Sequence, residues 1–163
     1  MSSPPQFWKQ FRPKACSVAL KRATKEEVLR EIVEVMLRGG ALSEELADPA
    51  FQALIEREQL ASTGVGQSVA IPHVRLAGLE QAAASLCVHP GGVEWAAVNG
   101  EPAHVFFTVL RPERAGSLHD PEQHLEMMRW IARLGRDRDF RRFALQSKTR
   151  TELVDLLREM SKV

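Results

Sequence analysis

Two apolar runs in the middle of the chain, residues 82–89 and 103–110, constrain the fold more than any other feature of the sequence. The second holds Val105, Phe106, Phe107, Thr108, Val109 and Leu110 in succession, a composition that suits a strand. Both runs end on turn formers: Pro90, Gly91 and Gly92 close the first, and Pro112 closes the second. Asn99 and Gly100 lie between them as a turn signal. Two shorter strands are expected at residues 16–20 and 69–71, the latter ended by Pro72.

Helical periodicity flanks this strand-rich middle. Thr24 and Glu27 have capping-box spacing, and Val28, Ile32, Val35 and Met36 form one stripe before Gly39 and Gly40. A second helix is expected to start at Asp48, with Pro49 as its first helical residue, and to end near Glu58. A third carries Leu125, Met128, Ile131 and Leu134 as its core stripe. A polar break at 136–139 leads to a short helix at 140–145. Thr149 and Glu152 then cap a last helix with Leu153, Leu156, Leu157 and Met160. Strands with helices before, between and after them imply a layered α/β domain.

At 163 residues the chain suits one domain. Residues 1–14 read as an N-terminal tail whose Phe7, Trp8 and Phe11 dock in part, and residues 15–163 as the domain. Lys plus Arg total 22 against 21 Asp plus Glu, which argues against a strongly basic nucleic-acid-binding body. The arginines at 129, 133, 136, 138, 141, 142 and 150 are scattered and suit a solvated face or a docking face. Cys16 and Cys87 form no CxxC pair, and no apolar run is long enough for a signal peptide or a membrane span. A cytoplasmic protein with no membrane insertion is expected.

The segment with the most chemical content is Ser62-Thr63-Gly64-Val65-Gly66-Gln67, followed by Ala70-Ile71-Pro72-His73. Its two spaced glycines predict a loop, whose backbone N–H groups can hold an oxyanion beside the hydroxyls. A histidine at a strand end near such a loop suits phosphoryl chemistry, because neutral imidazole is a nucleophile near pH 7. The local pattern equally allows a tight structural turn with an incidental histidine. No Gly-Lys-Ser/Thr follows, so this is not a P-loop. His119 and His124 straddle a helix start and suit either a second site group or two surface histidines. Histidines 73, 89, 104, 119 and 124 show no metal-ligand spacing, even with Cys87, and no metal or cofactor is expected.

Arg57-Glu58, Ser62 to Gly66 and Ala70 to His73 together closely resemble the type-2 EIIA domain of the phosphoenolpyruvate-dependent phosphotransferase system. The resemblance extends through the helix from Thr24, Gly92 to Trp95, Asn99 to Pro102, the Val105-Phe106-Phe107 strand, His124-Leu125 and the terminal helix, over about residues 15–160. As a single domain the chain looks most like the nitrogen-regulatory branch of that family. The resemblance implies a mixed β-sheet with helices on both faces. It implies that His73 accepts a phosphoryl group, that His124 is the second active-site imidazole, and that Arg57 orients the loop or offsets charge. Ser62, Thr63, Gly64, Val65, Gly66 and Gln67 would line the same cavity. An HPr-like phosphocarrier would be the donor, and an EIIB domain or regulatory target proteins would be the partners. The alternative on the same fold is a regulatory binding module that works through a phosphorylation-sensitive surface. The chain departs from the family at Val74, usually glycine, and at Asn99, usually aspartate. Its 114–122 segment is longer than usual and places His119 in competition with His124.

Overall fold

β-Branched and aromatic side chains make Ala103–Pro112 (β5) the strand on which the sheet is assembled. The computed structural model describes residues 6–97 and 99–161. Residues 1–5 of the expected tail, and 98, 162 and 163 of the expected domain, lie outside the described residues. Ahead of β5 come α1 (Lys25–Arg38), α2 (Glu44–Leu60), β1 (Gly64–Gly66), β2 (Val69–Ala70), β3 (His73–Leu76) and β4 (Ala83–Val93). After it come α3 (Pro121–Arg136), α4 (Arg138–Gln146) and α5 (Arg150–Met160).

β4 pairs antiparallel with one edge of β5, while β2 and β3 both pair parallel with the other. Val69 faces Val105 and His73 faces Val109, so the register passes through Ile71-Pro72 without a slip. Pro72 has no N–H, but its carbonyl accepts from Val109 N at 2.9 Å and keeps the ladder intact. β1 pairs antiparallel with the outer edge of β2.

Alternation along β5 sends successive side chains to opposite faces. Phe106 and Leu110 join Val28, Ile32, Met36, Phe51 and Leu54 of α1 and α2. Val105, Phe107 and Val109 join Ile131, Leu134, Phe140, Leu153 and Leu157 of α3, α4 and α5. The result is an α/β domain with a mixed sheet and helices on both faces, as the resemblance implied. Among the described residues no helix is long and apolar enough to cross a membrane.

Several local expectations are corrected. α2 starts at Glu44 after Ser43, not at Asp48, and Pro49 lies inside it. A proline there forfeits one helical bond, to the carbonyl of exposed Glu45, which the helix tolerates. The glycine-rich segment is not a loop throughout: Gly64–Gly66 is paired, and the hairpin turns at Gln67 (φ 55°) and Ser68 (φ 70°). The strand does not stop at Pro72 but resumes at His73. β4 runs through Pro90-Gly91-Gly92 to Val93 by way of a bulge, with Gly92 at φ 80°. Residues 16–20 contribute only a bridge from Ser17 to Cys87. On α3 the buried residues are Met127, Trp130, Ile131, Leu134 and Gly135, so the core face is rotated away from Leu125. Phe11 is fully buried and packs edge-on to Phe107.

Candidate functional site

Proline at 72 gives the chain a rigid entry into β3, and His73 is the first residue beyond it. His73 is exposed, and its Nδ1 donates to the carbonyl of Ile71 at 2.6 Å. That bond places the proton on Nδ1 and leaves the Nε2 lone pair free. The ring is therefore oriented by its own strand, with Nε2 left without a hydrogen bond among the described residues.

His124 lies on the first turns of α3, which Asp120 caps by accepting from Glu122 N at 3.0 Å. Burial, then the neighbouring His119, Arg111 and His73, lower its pKa to about 4. At neutral pH it is an uncharged imidazole with one N–H to donate. His119 is buried and meets His124 edge to face, with ring centroids 5.3 Å apart. It opens onto an adjoining polar hollow with Lys9, Arg12 and Asp120, which His124 also borders. His124, not His119, shares a cleft with His73.

This cleft has a volume of about 680 Å³ and lies between α2 and α3 at the end of the sheet. Arg57 of α2 lines it, and its guanidinium donates to the Ala61 carbonyl at 2.7 Å, tying down the chain that leaves the helix. Val74 also borders it, half-buried with an ordinary backbone and packed against the α1–α2 core. The site thus brings together His73, His124 and Arg57.

Ser62 to Gln67 are placed elsewhere, outside the lining of this cleft. Ser62 Oγ donates to the Trp95 carbonyl and accepts from Gly64 N at 3.1 Å. Thr63 Oγ1 donates to Glu58 and accepts from Trp95 Nε1 at 3.1 Å. Glu58 also accepts from Lys25 Nζ and from Thr63 N, each at 3.0 Å. These hydroxyls are committed to a buried strut that braces the segment before β2. Gly64, Val65 and Gly66 form β1, and Gln67 accepts from Arg141 at 3.2 Å. These six residues do not line this cleft, whose walls are side chains from β3, β5, α2 and α3.

Sequence reasoning missed Arg75, Arg111, Leu60, Leu125 and Met128, all of which line the cleft. Arg75 carried a signal: two residues beyond His73 on one strand, it must share His73's face. Arg111 and the α3 side chains carried none, because only sheet register and helix rotation bring them near His73. Among the described residues no group of three or more His, Cys, Asp or Glu is placed to hold a metal ion.

Residues 9–160 match the family model described as phosphoenolpyruvate-dependent sugar phosphotransferase system, EIIA 2. The chain is 37% identical over 109 residues to a nitrogen regulatory protein of Pseudomonas aeruginosa, covering 67% of this chain and 66% of that protein. It is 28% identical over 138 residues to the fructose-specific EIIABC component of Bacillus subtilis, covering 85% of this chain but 21% of that longer protein. The nitrogen regulatory protein IIA-Ntr of Neisseria meningitidis superposes with a TM-score of 0.78 at 26% identity, covering 94% of this chain and 99% of that one.

Proposed function

We propose, from the premise that this chain belongs to the type-2 EIIA family of the phosphoenolpyruvate-dependent sugar phosphotransferase system, that it accepts a phosphoryl group on Nε2 of His73. One observation carries the reading: the Nδ1–Ile71 hydrogen bond leaves Nε2 as the free nucleophile at the mouth of a cleft. The donor is a phosphohistidine on an HPr-like phosphocarrier. Its N–P bond breaks as the His73 Nε2–P bond forms, and the donor imidazole keeps the released electron pair. His73 keeps its Nδ1 proton throughout. Neutral His124 donates an N–H to the incoming oxygens, and Arg57 offsets part of the new charge.

The acceptor is a protein, either an EIIB-type domain or a regulatory target. Leu60 and Leu125 at the cleft are 84% and 52% exposed, an apolar rim suited to a protein face. The added group carries a charge of about −1.5 to −2, by analogy with other phosphoryl modifications. A partner that buries Leu60 and Leu125 against unmodified His73 then meets a desolvation penalty. The same transfer therefore supports a relay and a binding switch.

Incubation with phosphoenolpyruvate, Enzyme I and the phosphocarrier should add one acid-labile phosphoryl group, absent in His73→Ala. His124→Ala should slow transfer with the fold retained. A wild-type protein left unmodified by every cognate donor overturns the reading.

A further inference from the structure

Arg75 and Arg111 are direct partners in the parallel β3–β5 ladder, as are His73 and Val109 two positions earlier. Neighbouring strands lie about 4.8 Å apart, and two residues along a strand span about 6.6 Å. Both arginines consequently leave the sheet on the His73 face, within side-chain reach of its ring. Both line the cleft that His73 and His124 line. Among the described residues neither guanidinium has an ion-pair or hydrogen-bond partner. Glu56 lines the same cleft but makes no ion pair with either arginine, and the two adjacent cations repel each other: the pKa of Arg111 is lowered by desolvation first and by Arg75 second.

We propose that Arg75 and Arg111 form a two-guanidinium clamp for a tetrahedral oxyanion, and that its ligand is the phosphoryl group carried on His73 Nε2. The identity of the ligand rests on the phosphotransfer reading, whereas the clamp itself does not. Guanidinium forks match phosphate oxygens in geometry and retain their charge at all working pH values. Binding an anion replaces the arginine–arginine repulsion with two attractions. The third cation at the site, Arg57, is held in part by its bond to a backbone carbonyl, whereas these two have all their donors uncommitted. Arg111 also helps keep His124 uncharged, so that His124 offers an N–H beside the clamp.

The test uses the full chain and inorganic phosphate, with arginine Nε–H resonances as the readout. Phosphate should shift Arg75 and Arg111 saturably in wild type and in His73→Ala. Arg75→Gln and Arg111→Gln should each weaken binding about ten- to hundred-fold, the range for a charged hydrogen bond. Each should also slow His73 phosphorylation by a comparable factor. Arg75→Lys and Arg111→Lys, which keep the charge, should fold as wild type and recover part of the rate, which separates anion binding from a role in packing. Phosphate binding without any His73 phosphorylation upholds the clamp and removes the phosphotransfer reading. Phosphate that leaves both resonances unmoved, or Gln variants with wild-type binding and rate, overturns the clamp.

Discussion

His124 shows how one residue acquires chemistry from surroundings that its neighbours in sequence do not supply. Its unfolded pKa of 6.5 falls to about 4 in the fold, through burial and through His119, Arg111 and His73. Between those values the unfolded chain binds a proton at His124 that the folded chain does not. Folding stability therefore rises with pH across this window: the contribution is complete above about pH 6.5 and lost as pH falls through about 4. We expect the melting temperature of wild type to drop more steeply from pH 6.5 to 4 than that of His124→Gln. Parallel profiles of the two proteins, measured by circular dichroism, would contradict this. His73 shows the converse: its ring is oriented by a backbone carbonyl two residues away on its own strand.

Among the elements, the β1–β2 hairpin has the least favourable backbone. Gln67 and Ser68 occupy its turn at φ 55° and 70°, the left-handed region that side-chain-bearing residues enter at a cost of about 1–2 kcal/mol. Ser68 contributes its carbonyl to His104 N at 2.8 Å and Val105 N at 3.0 Å, bonds that glycine would retain. We expect Ser68→Gly to raise stability by about 0.5–1 kcal/mol, since added freedom in the unfolded chain offsets part of the relief. Urea unfolding midpoints decide it, and an unchanged or lower midpoint would mean that the turn is not strained. The signal for this hairpin was present as Gly64 and Gly66 but suggested a loop. Pairing with β2, which is itself held by β5, gives these glycines partners that a local reading cannot see. α1 was legible because Thr24, Glu27 and its apolar stripe agree, and Thr24 does accept from Glu27 N at 3.2 Å.

Across the whole molecule, the N-terminal segment is joined to the core by Phe11. Its ring lies 6.1 Å from Phe107 on β5 and 6.0 Å from Trp130 on α3. Phe7 adds a contact 5.8 Å from Trp130. Removing a fully buried phenylalanine costs about 3–5 kcal/mol. Phe11→Ala should accordingly lower the unfolding free energy by that amount in urea titrations, whereas deleting exposed side chains nearby should not. A change below about 1 kcal/mol would show that residues 6–15 are peripheral to the fold.

Patterns that depend on a few neighbouring residues were legible in the sequence: the buried runs of β4 and β5 and the caps at Thr24 and Thr149. Each is set by local sterics, backbone hydrogen bonding or side-chain periodicity. The cleft was not complete there. It depends on a register that sets Arg75 beside Arg111, on the rotation of α3 that turns Leu125 outward and leaves Met128 between core and cleft, and on a buried strut that withdraws Ser62 and Thr63. Such placements arise when both faces of one sheet are buried at once, because that packing decides which side chains remain free to meet a ligand.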